Sequence, residues 1–345
     1  MPREKPKTGR PPTMQDVARL AGVSQPTVSR VLNQSRTSIP VSQETRERVL
    51  AAVKELGYRP NTTARSLRTQ KTYMIALMIA DIANAFYHPI VRGVQDVAHR
   101  YDYDVLIANS DHLYENEKHF CEAVLRRPVD GVIMTPIHLT YEDIDRFLRL
   151  SGTPIVALGD HVNHPQVDVV HMDDRQATYD GTRWLIEVRG YRRIGCLTVP
   201  AAFPPGPRRL QGFNQALADC GLQYEPQHLL WGDFTIESGR RAAEQLMARN
   251  DLPEVLFAFN DLMAIGAILA FQDAGLNVPT DIAVMGIDNI AEATIIRPRL
   301  TTIAQEPEDI GRKLATALFE RIEGKVEGPR RFFASPYTII PRESA

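Results

Sequence analysis

Cysteine is scarce in this chain of 345 residues: Cys121, Cys196 and Cys220 are its whole complement. Their spacing fits neither a metal-binding pattern nor a disulfide framework, so they read as reduced core thiols and the expected compartment is the cytoplasm. No apolar run approaches the roughly 20 residues of a membrane-spanning helix, so no membrane partner is expected. The first dozen residues, M-P-R-E-K-P-K-T-G-R-P-P, are basic and proline-rich. They read as a mobile arm and lack the apolar stretch of an export signal. Also missing are a G-x-x-x-x-G-K-[ST] phosphate loop and a cluster of metal ligands at suitable spacing. His161 and His164 are close together but have no third ligand nearby, and they read as loop residues. No catalytic constellation emerges, so neither enzymatic activity nor a metal or cofactor is expected.

Charge is nearly balanced over the whole chain, at −2, but it is unevenly placed. Residues 1–72 carry 14 Lys+Arg against 5 Asp+Glu, so the remainder is strongly acidic. A basic segment on an acidic body is expected where only that segment meets phosphate. Within it stands T-M-Q-D-V-A-R-L-A-G-V-S-Q-P-T-V-S-R-V-L-N, from Thr13 to Asn33. Thr13 and Asp16 have the spacing of a capping box, and Val17, Ala18, Leu20 and Ala21 supply one apolar side of a first helix. Gly22 suits the positive φ of a tight corner. Ser24 is placed to cap a second helix, whose first turn tolerates Pro26 because that N–H has no intrahelical partner. Val28, Val31 and Leu32 face inward. That leaves Gln25, Thr27, Ser29, Arg30 and Asn33 as a polar outer surface suited to base edges and phosphates.

This hairpin resembles the DNA-binding head of the LacI/GalR (lactose and galactose repressor) family, and the resemblance continues to the C-terminus. Pro40-Val41-Ser42 leads into a third helix, Q-E-T-R-E-R-V-L-A-A-V-K-E-L-G-Y, with Val49, Ala52, Val53 and Leu56 on one face. The following R-P-N-T-T-A-R-S-L-R is similar to the family's hinge helix, too short to be stable alone. The resemblance implies that paired hinges fold on the operator and that Leu67 wedges into the minor groove, with Asn61 and Ala64 at the matching hinge positions. Such a wedge costs unstacking energy and gains a bent, better-wrapped duplex. The expected division is a head over 1–58, a hinge over 59–72 and a body over 73–345.

From Tyr73 onward strands and helices alternate, the pattern of parallel sheets flanked by helices. Strands are predicted at 74–80, 103–108, 131–134 and 154–158, and the series restarts at 193–199, 255–259 and 282–286. Two successive βα series predict an α/β body of two lobes around a cleft, the periplasmic-binding-protein-like shape that the resemblance also implies. Chain crossings are expected near 162–173, 299–305 and 333–340. These give a first lobe of about 73–165 plus 303–333 and a second of about 166–302 plus 334–345.

Ligands in such folds bind at the carboxyl ends of the strands, where the lobes face each other. Asp81 and Phe86 follow the first strand, Thr135 follows the third, and Arg209 lies at the start of a helix. Asn260 and Asp288 end later strands, and Phe234 lies in W-G-D-F-T. By resemblance, Arg209, Asn260 and Asp288 hydrogen-bond an effector, Phe234 stacks on it, and Gln305 lines the pocket at a lobe crossing. A carboxylate, an arginine, an amide and an aromatic face together suit a polyhydroxylated ligand. Each has a structural alternative: a strand-end residue can cap a helix, Arg209 can be paired internally, and Phe234 can be core. Where many relatives place an aspartate after P-I-V-A-L, this chain reads Gly159-Asp160, so the carboxylate is one position late or absent.

The resulting expectation is a transcriptional regulator, a repressor, that binds a pseudo-palindromic operator in double-stranded DNA as a homodimer. Its effector is expected to be a sugar or sugar derivative. A sugar phosphate remains open through Arg209 and Arg208, and a purine through Phe86 and Phe234. The alternative is a sugar-binding solute protein with no DNA role; the basic head and the missing export signal count against it.

Overall fold

The computed structural model describes residues 10–32, 41–59 and 70–345. The chain divides into two compact units, Met1–Thr72 and Tyr73–Ala345.

In the first unit, α1 (Met14–Ala21), α2 (Gln25–Leu32) and α3 (Gln43–Leu56) enclose a small core of Val17, Ala18, Ala21, Val28, Val31, Val49, Ala52 and Tyr58. The capping box is formed: the Asp16 amide donates to Thr13 Oγ1, and the Thr13 amide donates to Asp16 Oδ2 at 2.9 Å. Gly22, at φ +66, ends α1 in the left-handed conformation, and the Val23 amide closes the turn on the Ala18 carbonyl. Ser24 Oγ then accepts from the Thr27 amide at the head of α2. Ser42 caps α3 in the same way.

The second unit holds two six-stranded sheets. The first is built on β1 (Met74–Ile79), β2 (Asp104–Asn109), β3 (Gly131–Met134), β4 (Ile155–Leu158) and β5 (Asp168–His171), all parallel. Helices α4 (Tyr87–Arg100), α5 (Tyr114–Arg126) and α6 (Tyr141–Ser151) connect its first strands. After α7 (Asp174–Glu187) the pattern repeats with β6 (Ile194–Thr198), α8 (Pro205–Asp219), β7 (Leu229–Trp231), α9 (Ile236–Met247), β8 (Val255–Ala258), α10 (Asp261–Asp273) and β9 (Ala283–Asp288). A short α11 (Glu292–Ile295) precedes β10 (Thr301–Gln305), which pairs with β9. The chain then returns through α12 (Pro307–Ile322), which packs on α4 and on β3, β4 and β5. It ends with β11 (Phe332–Ala334) beside β5 and β12 (Tyr337–Ile340) antiparallel to β10.

The sheet orders are therefore β11-β5-β4-β3-β1-β2 and β12-β10-β9-β8-β6-β7. Strands such as β3 and β8 are buried throughout, as parallel strands covered by helices on both faces must be. Two of the expected lobe boundaries move. Residues 168–171 pair with β4, so the first lobe extends past 165; in D-V-V-H only two apolar residues mark the strand, and the sequence shows no run there. Residues 303–305 belong to β10 in the second sheet, so the return to the first lobe begins at Pro307. Among the described residues no helix is long and apolar enough to cross a membrane.

Asp168 fixes the return. It is fully buried and accepts from the guanidinium groups of both Arg321 (2.7 and 3.0 Å) and Arg331 (2.7 and 3.1 Å). Although burial acts in the other direction, these bonds hold its carboxyl below the usual range.

Candidate functional site

Two surfaces carry chemistry. The first is on the head, where α2 exposes Ser24, Gln25 and Pro26 and leaves Thr27, Ser29 and Arg30 half-buried along one side, with Val28 and Val31 turned to the core. Thr13 is exposed at the start of α1. A helix presented in this way, entering by a capped N-terminus after a tight corner, has the form of a major-groove recognition helix. Asn33, Asn61, Ala64 and Leu67 lie outside the described residues.

The second is a cavity between the two lobes of the body, about 600 Å³ including the part open to solvent. The first lobe supplies Phe86, Tyr87, Thr135, Asp160, His161 and His171, and the second supplies Arg208 and Arg209; Asp174 and Gln305 stand where the chain crosses. Of the residues singled out in the sequence, Phe86, Thr135, Arg209 and Gln305 line it. Thr135 is buried and donates to the Met78 carbonyl. Phe86 packs against the cores of both lobes.

Arg209 is buried. Its Nε donates to Asp174 Oδ1 at 2.7 Å, and its NH1 donates to the Phe259 carbonyl. The helices that carry these partners, α7 and α8, touch backbone to backbone. A Cβ on Gly212, one turn beyond Arg209, would fall 2.0 Å from the Arg175 carbonyl oxygen. That close approach brings the guanidinium to Asp174. Burial works against the Arg209 charge, but Asp174 and Asp288 outweigh it and raise its pKa.

Asp288 is not among the lining residues, yet it sits directly behind them. It is buried and accepts from Gln305 Nε2 at 2.9 Å. Burial pushes its carboxyl up to about 7; Arg209 and Gln305 pull against that rise and Asp174 adds to it. Next to it Asp261, fully buried, accepts from Thr302 Oγ1 at 2.6 Å and from the Ile290 amide at 2.9 Å. Burial and the neighbouring Asp288 raise its pKa well above the normal value. Burial, with Asp288 nearby, likewise pushes the Tyr87 hydroxyl strongly upward.

The other three expected residues have structural engagements. Asn260 caps α10: its Oδ1 accepts from the Met263 amide and its Nδ2 donates to the Phe234 carbonyl at 3.0 Å. Phe234 stands at φ +68 and packs edge-to-face on Phe203, 5.7 Å between centroids. Asp81 turns back on the Ala83 amide at 2.8 Å. None of the three is among the lining residues.

Sequence reasoning did not select Asp160, His161, His171 or Asp174. Gly159 at φ +106 places the first two: a Cβ there would lie 2.6 Å from His161 Nδ1. The His161 ring thus occupies the space an aspartate side chain would need, and the carboxylate comes one residue later. Asp160 reaches Arg208 of the opposite lobe as an ion pair. The only signal was the displaced aspartate itself.

A cluster of Glu225, His228 and Asp251 has metal-like proximity, its ligand atoms within 4.8 Å of one another. Arg193 pairs with both carboxylates, and Gln227 donates to both. This corner is an arginine-centred hydrogen-bond cluster.

A small helical head on a two-lobed α/β body has direct counterparts among known proteins. Residues 13–61 match the family model of bacterial regulatory proteins of the lacI family. Residues 72–340 match that of periplasmic binding proteins and the sugar-binding domain of the LacI family. The chain belongs to the LacI family. Catabolite control protein A of Priestia megaterium is 36% identical over 333 residues, 96% of this chain and 98% of that protein. A solved complex of the transcriptional regulator CelR with cellobiose is 33% identical, with a TM-score of 0.71, covering 97% of this chain and 100% of that one. The lac repressor dimer bound to operator and the anti-inducer ONPF is 26% identical, with a TM-score of 0.82, covering 97% and 99%. As a LacI-family member the chain is a DNA-binding transcriptional regulator with an effector-binding body, and these relatives are regulators rather than enzymes.

Proposed function

We propose that this LacI-family protein is a repressor that binds a pseudo-palindromic operator as a homodimer and releases it when a sugar or sugar derivative occupies the interlobe cavity. The observation that carries this reading is the meeting of Tyr87, Thr135, Arg209 and Gln305 from both lobes around one cavity, with the Asp288 carboxylate held behind it by Gln305. A ligand that touches both lobes binds one interlobe arrangement better than another, which is what an effector must do to shift an equilibrium. The CelR complex holds cellobiose, and the lac repressor dimer holds operator and the anti-inducer ONPF. The protein performs no catalysis on its effector.

The dimer forms through the body. Strand β2 is the edge of the first sheet and leaves Leu106 and Ile107 exposed, with Ile82 and Leu113 on adjoining loops. An uncovered apolar sheet edge on a soluble chain is an association surface, and a two-fold pair of heads is what a palindromic site requires.

Gel shifts on genomic fragments, repeated with a panel of saccharides, test the whole reading. Sequence-selective retardation that one saccharide relieves is the expected result. A protein that retards no fragment selectively, or whose retardation no saccharide changes, overturns it.

A further inference from the structure

The charges of the cavity are balanced in a way that selects among ligands. Among the described residues that line it, the cations are Arg208 and Arg209, and both already face a carboxylate. Arg209 is buried against Asp174, with side-chain exposures of 7% and 11%. Arg208 is paired across the cleft with Asp160, which stands at the end of β4 in the other lobe. Asp288 adds a third carboxyl beside Arg209. His161 contributes no positive charge: burial, with Arg208 close by, lowers its pKa and keeps the ring neutral.

Hydrogen-bond polarity points the same way. His161 Nε2 lies 2.7 Å from the Pro136 carbonyl, so that nitrogen carries the proton and Nδ1 has a free lone pair. Nδ1 is buried without a partner. With its one N–H directed at Pro136, the neutral ring has no donor left for a phosphate oxygen.

We propose that Asp160 sets the charge class of the effector: by neutralising Arg208 across the cleft it admits uncharged, hydroxyl-rich molecules and excludes phosphorylated ones. The proposal rests on reading the cavity as the effector site. A phosphate would have to take Arg208 from Asp160 and then lie against the displaced carboxylate. Two like charges side by side repel, and the partial exposure of Asp160 screens that repulsion without abolishing it. Asp160 is thus a specificity-determining residue, and its position one residue late is what lets it reach Arg208 while His161 fills the vacated space.

The test uses inorganic phosphate as the probe and the full-length protein, read by titration calorimetry. Wild type gives no binding, or binding at least about tenfold weaker than Asp160→Asn, which frees Arg208 while keeping the side-chain shape. Adding Arg208→Met to Asp160→Asn removes the gain. Thermal unfolding confirms that each variant is folded, and Asp160→Ser serves in place of Asp160→Asn should the latter not fold. A folded Asp160→Asn or Asp160→Ser protein that gains no phosphate affinity overturns the proposal, as does a wild type that binds phosphate equally well. Failure of the effector reading itself shows elsewhere, in operator gel shifts that no saccharide alters. The phosphate comparison stands or falls independently of that result.

Discussion

Gln305 Nε2 donates to Asp288 Oδ1 at 2.9 Å, linking the ends of two adjacent strands where the chain leaves the second lobe. The bond ties a buried carboxyl of the second lobe to the strand that leads into the crossing segment. Asp288 is held from the far side as well. It stands at φ +123, followed by Asn289 at φ +58, and Asn289 Oδ1 accepts from Arg342 at 2.5 Å. Backbone strain of this kind costs about 1–3 kcal/mol per residue and persists only where the surroundings enforce it. Here the enforcing groups are Gln305 and Arg342.

Asp288 is expected to weaken the fold as the pH rises. Its folded pKa of about 7 lies above the ordinary value of 3.8. The folded state therefore holds this proton more tightly than the unfolded chain. The resulting stability is present below about pH 4 and is lost as the pH climbs toward 7. Asp288→Asn removes that penalty. Its melting temperature should gain on wild type between about pH 5 and pH 8, with a ceiling of about 4 kcal/mol for a shift of this size. The same variant should bind the effector more weakly. A melting-temperature difference that stays constant across that range would show that the carboxyl does not titrate there.

Arg209 has a structural partner, so its removal costs more than ligand affinity. Arg209→Ala leaves Asp174 and Asp288 without their cation inside the lobe. Breaking a buried pair by deleting one partner typically costs about 3–5 kcal/mol. The double variant Arg209→Ala/Asp174→Asn should recover part of that loss, because the stranded charge is gone. Urea denaturation of the four proteins in the cycle measures the coupling. Additive effects would show that the two side chains do not interact.

The architecture was legible because its signals are local. The capping box at Thr13 and Asp16, the corner at Gly22 and the buried runs of β1 and β3 are each written in a few consecutive residues. The lobe boundaries were less so, since β5 has two apolar residues and is held by Arg321 and Arg331 from far along the chain. The cavity was half legible. A strand-end position located Thr135 and the family resemblance located Arg209 and Gln305, but strand ends also cap helices, and Asn260 is engaged in that way. The Asp160–Arg208 pair depends on two lobes meeting. No spacing within either segment announces it.

Restoring an aspartate at position 159 should harm this protein. The backbone there has φ +106, and a Cβ would lie 2.5 Å from His161 Cε1. A side chain at such a φ is strained by about 1–3 kcal/mol, and the His161 ring must also move. Gly159→Asp is expected to lower the melting temperature, and Gly159→Ala should do so by a comparable amount because the cause is the Cβ. An Asp variant as stable as wild type would show that the loop relaxes freely.

The head offers a test that separates base reading from phosphate contact. Arg30 lies on the half-buried outer side of α2 and forms no ion pair among the described residues. A bidentate arginine–guanine contact gives about 1–3 kcal/mol of discrimination, whereas a phosphate contact weakens every sequence alike and lowers the salt slope by about one. Arg30→Ala should therefore reduce operator affinity by that amount, with relaxed preference at one base pair and a nearly unchanged salt dependence. Leu67→Ala addresses the proposed hinge. An apolar wedge contributes only where the duplex is kinked around it, so this variant should lose specific affinity and DNA bending while retaining non-specific binding. Measuring operator and random-sequence duplexes at several salt concentrations, with bend angles by fluorescence transfer, distinguishes the two roles. A uniform loss for Arg30→Ala assigns it to the phosphate backbone, and an unchanged bend for Leu67→Ala removes the wedge from the account.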